Sequence, residues 1–365
     1  MAELSCGIVG LPNVGKSTLF NAITRTAAAA AANYPFCTID PNVGIVEVPD
    51  PRLAVLSSIS GSKKLIPAAV TFVDIAGLVA GASQGEGLGN QFLANIRETQ
   101  AILHVVRCFE NDDVIHVAGR VDPIADIEVI NLELILSDMQ MVENALQKLE
   151  KQLKSKKELQ PLHDALKKAQ AHLNASKPVR SLSLTPEEKQ LLSTYPFLTN
   201  KKIVYAANVA EDSLPSMENE HVQKVRAYAE KEGSMVIPIC ARLEEEVSQL
   251  SEADAAEFLQ SLGLKETGLN RLVKAAFETL DLITFLTTGE METRAWTIEK
   301  GMTAQESAGK IHTDIQKGFI RAEVISYQDF VHYKGRVGAR EAGKARSEGK
   351  EYIVKDGDVI LFFHN

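Results

Sequence analysis

The sequence has few cysteines, and none of them is placed for a disulfide framework or a metal site. Only four occur among 365 residues, at Cys6, Cys37, Cys108 and Cys240, and no two have the spacing of a zinc site or a redox pair. We therefore exclude a disulfide-stapled secreted fold and expect buried, reduced thiols in a cytoplasmic protein. The sequence also lacks a signal-peptide pattern and any apolar run long enough to cross a bilayer, so we expect no membrane partner.

An excess of positive charge is absent as well. The chain carries 39 Lys and Arg against 48 Asp and Glu, which gives a net charge of -9. This excludes a protein that coats nucleic acid over its whole surface, although it does not exclude a local basic patch. The hydrophobic share of 45% is that of an ordinary globular protein, and the length predicts two or three domains.

What the sequence does contain is an alternation of short apolar runs with helical patterns, in two blocks. This alternation predicts a doubly wound α/β sheet whose parallel strands are covered by helices on both faces. The predicted strands are residues 4–9, 43–48, 69–73, 101–106, 203–207 and 235–239.

Between the two blocks, apolar residues repeat at alternating steps of three and four. The repeat covers residues 132–153 and 159–173, and a lysine-rich stretch at 154–157 interrupts it. We predict an antiparallel helical hairpin packed as a short coiled coil. The domain division that follows is a nucleotide-binding domain at 1–126 and 198–280, a helical insertion at 127–197, and a strand-rich α+β domain at 281–365.

The strongest motif runs from Gly10 to Ser17, Gly-Leu-Pro-Asn-Val-Gly-Lys-Ser, which matches the P-loop pattern GxxxxGK[ST] between a strand and a helix. Backbone N–H groups of such a loop close around a β-phosphate, and the positive end of the following helix is directed at the anion. We predict that Lys16 contacts the β- and γ-phosphate oxygens and that Ser17 binds Mg²⁺. Asn13 has two interpretations: it tolerates a left-handed turn, or its side-chain oxygen helps to bind a monovalent cation such as K⁺.

Two further segments are typical of a nucleotide switch. Asp74-Ile-Ala-Gly77 follows the predicted strand 69–73, so that Asp74 can hold Mg²⁺ through water while the Gly77 N–H meets the γ-phosphate. Thr38 lies in the loop before the second strand. Its hydroxyl is a candidate second protein ligand to Mg²⁺, with an ordinary surface-loop residue as the alternative.

The base pocket departs from a guanine site, which usually presents Asn-Lys-x-Asp. This chain has Asn208-Val-Ala-Glu211 after the strand 203–207. Without the aspartate that accepts from guanine N1–H and N2–H₂, the main physical reason for guanine preference is lost, and we predict ATP over GTP. Asn208 and the backbone of Val209 are the expected base contacts, and Glu211 is expected to be a solvated acid.

The residue that positions the attacking water is not obvious. Many switch NTPases carry Gln directly after the DxxG glycine, but here that position is Leu78, which cannot hydrogen-bond to water. His116 is a candidate to orient or deprotonate the water, and a loop histidine with no catalytic role is the alternative. Gln84 is a weaker candidate. Lys16 is expected to neutralise charge during γ-phosphate hydrolysis.

The motif set resembles the Obg-like ATPase (YchF) family, and the C-terminal segment resembles a TGS domain, a small β-grasp-like module. The resemblance covers essentially the whole chain. It implies a Mg²⁺-dependent ATPase that associates with ribosomes and has a hydrophobic residue in place of the catalytic Gln. It also implies that Asn13, Val14, Gly15, Lys16, Ser17 and Thr18 form the phosphate loop. The segments that carry it are residues 10–22, 33–42, 74–79, 208–211, 294–298, 309–314, 317–321 and 352–358.

A local basic stretch supports an RNA-containing partner. Residues 334–350 hold six Lys or Arg and two Glu, a local charge of six minus two, or +4. Such a stretch can follow phosphates without reading bases, although a solvated face would look the same. We expect ATP and ribosomes as partners, no sequence-specific DNA, and a monomer. A GTPase of the same fold and a non-enzymatic adaptor that holds nucleotide remain the alternatives.

Overall fold

A computed structural model describes residues 5–30, 42–75, 87–110 and 120–365, and all structural statements concern these residues. They fall into two compact units. The first lies within 1–25, 39–44 and 71–272, and the second within 26–38, 45–70 and 273–365. Among the described residues, no helix is long and apolar enough to span a membrane.

The elements alternate along the chain as the patterning predicts. In order they are β1 (Ser5–Val9), α1 (Lys16–Ala30), β2 (Val43–Glu47), α2 (Arg52–Ser60), β3 (Leu65–Ile66), β4 (Ala69–Asp74), α3 (Gly87–Glu98), β5 (Ala101–Arg107), α4 (Pro123–Leu153), α5 (Gln160–Asn174), α6 (Pro186–Leu192), β6 (Lys202–Asn208), α7 (Glu220–Glu230), β7 (Met235–Ile239), α8 (Ala241–Val247), α9 (Glu252–Ser261), α10 (Gly268–Thr279), β8 (Leu282–Thr288), β9 (Thr293–Glu299), α11 (Ala304–Ile311), α12 (Thr313–Lys317), β10 (Phe319–Ser326), α13 (Tyr327–His332), α14 (Arg336–Glu341), β11 (Arg346–Glu348) and β12 (Asp358–His364).

The first sheet has the strand order β2-β4-β1-β5-β6-β7. Pairing is parallel from β4 through β7, which confirms the predicted parallel sheet. Strands β1 and β5 are buried along their whole length, as expected for near-continuous apolar runs in the centre of a parallel sheet. The carboxyl ends of β1, β4, β5, β6 and β7 therefore lie at one edge of the sheet, where the loops of interest begin.

The helical insertion is present, with α4 and α5 joined by residues 154–159. Its apolar seam contains Val142 and Leu146 of α4 and Leu166 and Leu173 of α5, all buried. The seam begins later than the repeat predicts, because Leu132 is 47% exposed. Helix α4 has 31 residues and α5 only 15, so the first half of α4 packs on the sheet core instead of on α5.

A buried polar network fixes the root of this hairpin. Arg180 follows α5 and pairs with Glu232, with 2.5 Å between its Nε and the carboxylate, and it also donates to Asn131 Oδ1 of α4 at 3.0 Å. The Tyr205 hydroxyl of β6 donates to the same Glu232 at 2.9 Å. Because these hydrogen bonds join α4 and the segment after α5 to β6, the insertion belongs to the first unit.

The second unit is built on a sheet of order β11-β10-β12-β8-β9-β3. Pairs β8–β9, β10–β11 and β10–β12 are antiparallel, and β12–β8 and β3–β9 are parallel. Residues 45–70 contribute α2 and β3 to this unit, because Leu53 and Leu56 of α2 are buried in one core with Leu286 and Phe330. The division into domains at 126, 197 and 280 stays a prediction that does not foresee this grouping.

Arg52 links this early segment to the C-terminal strands. Its guanidinium binds both oxygens of Asp50, at 2.9 and 2.8 Å, and donates to Asp356 at 2.8 Å. Asp356 in turn accepts from the Thr284 N–H at the start of β8, at 3.0 Å. The hydrogen bond to Asp50 is the main cause that raises the pKa of Arg52, so the guanidinium stays charged.

Candidate nucleotide site

The loop between β1 and α1 has the backbone of a phosphate cradle. Asn13 and Gly15 adopt left-handed conformations, with φ of 62° and 94°. The Leu19 N–H donates to the Gly15 carbonyl at 3.0 Å, and this is the first hydrogen bond of α1. The N–H groups before Leu19 have no acceptor within the helix and are placed to bind an anion at its N-terminus. A Cβ at residue 15 would lie 2.1 Å from Asn208 Nδ2, so this position requires glycine. The conformation of Asn13 agrees with the turn interpretation, and its cation role stays a prediction.

Lys16, the predicted contact of the phosphates, and Asp74, the predicted water-mediated ligand of Mg²⁺, contact each other. The Lys16 Nζ lies 2.5 Å from Asp74 Oδ1, and the side chains are 12% and 21% exposed. The strand register brings them together, because Asp74 of β4 pairs with Ile8 of β1, two residues before the loop. A triphosphate would attract the lysine toward its own oxygens and leave the carboxylate available.

Asn208 connects the phosphate loop to the other side of the site. Its Nδ2 donates to the Val14 carbonyl and its Oδ1 accepts from the Ala241 N–H, both at 2.9 Å. The residue is only 5% exposed. Asn208 therefore holds the loops after β1 and β7 together through its side-chain amide. The predicted contact of Asn208 with the base stays a prediction.

A cavity of about 900 Å³ extends from the phosphate loop across the carboxyl ends of β5, β6 and β7. Its position outside the ends of parallel strands is where open α/β sheets bind ligands, and its size suits a nucleotide. Phe109, which the sequence interpretation missed, lines it, with the Arg107 guanidinium 4.5 Å from the ring centroid. Cys240 also lines the cavity, and burial raises the pKa of its thiol.

The segment predicted to recognise the base lines the same cavity. The Val209 N–H donates to the Ile239 carbonyl at 2.8 Å, so the backbone group of Val209 that is left for a hydrogen bond to a base is its carbonyl oxygen. Glu211 is 49% exposed, as expected for a solvated acid, but it is also paired. One of its carboxylate oxygens lies 3.1 Å from Arg242 Nε.

Several predicted residues lie outside the described residues, and their roles stay predictions: Thr38, Gly77, Leu78, Gln84 and His116. Among residues 5–30, 42–75, 87–110 and 120–365, no group of three or more His, Cys, Asp or Glu is placed to hold a metal. The predicted Mg²⁺ ligands do not need such a group. The Ser17 hydroxyl and the Asp74 carboxylate are hard oxygen donors, which fit Mg²⁺, and substrate phosphates and water supply the rest.

Comparison with known proteins gives full-length relatives. One family model, described as a 50S ribosome-binding GTPase, matches residues 5–158, and another, YchF-GTPase_C, described as a protein of unknown function, matches residues 282–365. The chain is 54% identical over 361 residues to a Haemophilus influenzae protein named "Ribosome-binding ATPase YchF", covering 99% of both chains. It is 53% identical over 364 residues to the Bacillus subtilis protein of the same name, again covering 99% of both.

A solved structure supports the same relationship. The Schizosaccharomyces pombe YchF GTPase is 37% identical in sequence and superposes with a TM-score of 0.89, over 100% of this chain and 98% of that one. The agreement extends over both compact units and confirms the predicted fold class.

Proposed function

This chain belongs to the YchF family, and on that premise we propose that it is a Mg²⁺-dependent ATPase that hydrolyses ATP to ADP and phosphate and binds ribosomes according to its nucleotide state. The observation that carries the proposal is the Lys16–Asp74 ion pair at 2.5 Å beside the 900 Å³ cavity. A lysine and a carboxylate in contact beside the phosphate loop support the binding of a triphosphate together with its metal. Such a switch would work in the cytoplasm, and the monomeric state stays part of the proposal.

At the phosphate end, residues 13–18 surround the triphosphate with backbone N–H groups, and Lys16 exchanges Asp74 for phosphate oxygens. Asp74, Ser17 and Thr38 would hold Mg²⁺, which when bound neutralises charge on the phosphate oxygens. The Gly77 N–H would meet the γ-phosphate. His116 is proposed to orient the attacking water, because Leu78 cannot do so.

At the base end, the residues that line the cavity favour adenine over guanine. Phe109 offers an aromatic face for a purine. The Val209 carbonyl can accept from the N6 amino group of adenine, whereas guanine presents the acceptor O6 at that position. Asn208 is proposed to contact the base while its side chain stays hydrogen-bonded between the loops after β1 and β7. K⁺ beside the phosphates, contacted by Asn13, completes the proposed site. Replacing K⁺ by Na⁺ should then slow hydrolysis.

The experiment compares ATP and GTP on the purified full chain. We expect ATP to bind more tightly in calorimetry, and sustained multiple-turnover phosphate release to be lost in Lys16→Ala. Lys224→Ala removes a lysine from a similar ion pair on the exposed face of α7 and serves as the control. Much tighter binding of GTP than of ATP would contradict the proposed ATPase and favour the GTPase alternative. Nucleotide binding without turnover would contradict the proposed hydrolysis and favour the adaptor.

Ribosome binding is proposed through the basic stretch 334–350. Arg336 and Arg340 both donate to Glu323 at 2.7 Å, so part of its charge is neutralised within the fold. Lys344 and Lys350 are exposed and offer their charge to phosphates. Including Glu323, the local charge falls from +4 to +3.

Co-sedimentation with ribosomes tests this surface. We expect binding that differs between ATP and ADP and falls steeply with salt, because phosphate contacts release counterions. The double variant Lys344→Ala/Lys350→Ala should weaken binding and flatten the salt dependence. The control Lys224→Ala/Lys231→Ala, which removes two exposed lysines of the first unit, should do neither. Binding that ignores both nucleotide and salt would contradict the proposal.

A further inference from the structure

An ion pair joins the loop after β6 to the start of α8 at the wall of the nucleotide cavity. Arg242 Nε lies 3.1 Å from a carboxylate oxygen of Glu211, and both residues line the cavity. Arg242 also lies 3.4 Å from Glu246, one turn further along α8. Arg242 thus contacts two acids, Glu211, which lines the cavity, and Glu246, which does not.

This pair is not needed to hold the two loops together. The side chains are 76% and 49% exposed, and exposed ion pairs contribute little to stability. The same loops are already joined by the buried hydrogen bond from the Ala241 N–H to Asn208 Oδ1, at 2.9 Å. The main effect of Arg242 is therefore on the negative charge of the Glu211 carboxylate, which a bound base would face.

The chemistry of that charge distinguishes the two purines. Glu211 stands three residues after Asn208, at the position where a guanine site carries its acid. A free carboxylate there attracts the N1–H and N2–H₂ donors of guanine and opposes the N1 lone pair of adenine. A carboxylate engaged by a guanidinium does neither to the same extent.

We propose that Arg242 is a specificity-determining positioning residue: it engages the Glu211 carboxylate, withholds it from guanine, and so favours adenine. This inference rests on the proposed nucleotide site. Arg242 acts through Glu211, and the two effects on guanine and adenine act in the same direction on the ratio of affinities.

The test is equilibrium binding of ATP and of GTP to the full chain by calorimetry. In Arg242→Ala we expect the ratio of GTP to ATP affinity to rise about two- to fivefold, the size expected for an exposed ion pair. A general disturbance of the loop would weaken both nucleotides equally and leave the ratio unchanged. A ratio that does not move would therefore overturn the inference.

Two further variants isolate the pair. Glu246→Gln removes the competing partner of Arg242, so its ratio should stay at the wild-type value or shift toward ATP. In a Glu211→Gln background the carboxylate is gone, and adding Arg242→Ala should no longer raise the ratio. If it still does, the effect does not pass through Glu211. If wild type binds neither triphosphate, the proposed function itself fails, whereas binding with an unmoved ratio refutes only the role of Arg242.

Discussion

Replacing Asn208 by alanine should lower the free energy of unfolding of the first unit and should also lower its affinity for ATP. The substitution removes hydrogen bonds to the Val14 carbonyl and from the Ala241 N–H, both 2.9 Å long and buried. Each of the two backbone groups left without a partner costs about 1–3 kcal/mol, so we expect the free energy of unfolding to fall by about 2–6 kcal/mol. Part of that free energy must then come from ATP, which has to order the loose phosphate loop, and Kd should rise about 5- to 100-fold.

Asn131→Ala is the matched control. Asn131 is also 5% exposed, and its replacement also removes two hydrogen bonds, one accepted from Arg180 and one donated to the Tyr228 hydroxyl, but it lies at the base of the helical hairpin. The single tryptophan, Trp296, belongs to the second unit, so its fluorescence does not report on unfolding of the first. The stability of the first unit is therefore measured by hydrogen exchange of β5 and β6. We expect both variants to be destabilised and only Asn208→Ala to lose affinity in calorimetry. Equal ATP affinities in the two variants would refute the role of Asn208 in holding the phosphate loop for ATP.

Three other predictions follow from the first unit. Gly15→Ala should abolish ATP binding in calorimetry, because φ is 94° and the added Cβ would lie 2.1 Å from Asn208 Nδ2; retained binding would contradict this. Burial lowers the pKa of His104 to about 3, whereas the unfolded chain binds that proton near pH 6.5, so stability falls as the pH drops below 6.5. We expect the free energy of opening that hydrogen exchange measures for β5 to fall by about 1–2 kcal/mol between pH 7 and 5. His104→Leu should abolish this part of the pH dependence. Arg180→Ala leaves the buried Glu232 carboxylate without an opposite charge, although the Tyr205 hydroxyl still donates to it, and should cost about 3–5 kcal/mol in the hydrogen exchange of α4; a loss below about 1 kcal/mol would contradict this.

The sequence predicts the phosphate half of the site better than the base half. Residues 10–17 form one contiguous motif whose spacing follows from the geometry of a loop around a phosphate, so their placement could be read directly. Phe109 and Arg242 stand in no such motif. They reach the cavity only because strands β5, β6 and β7 end side by side, which is a property of sheet order and not of local pattern.

The same reason limits the prediction of the second unit. The strands after residue 281 are evident from their patterning, but α2 and β3 look like part of the first block of alternating elements. Leu65 pairs with Thr293 across more than half of the chain, and neither residue carries a signal for the other. The apolar repeat of α4 shows a similar limit, since Leu132 fits the helical period yet does not reach the seam.

The buried network at Arg180, Glu232 and Tyr205 has a mechanical consequence. It fixes one end of the hairpin, through Glu232, to β6, the strand whose following loop lines the nucleotide cavity. The part of α4 that extends from Asn131, where the network holds the helix, to Leu153 is about 33 Å long at 1.5 Å per residue. A tilt of about five degrees at Asn131 would move the far tip by about 3 Å, so sub-ångström adjustments around a bound base would be magnified at the outer end of the hairpin.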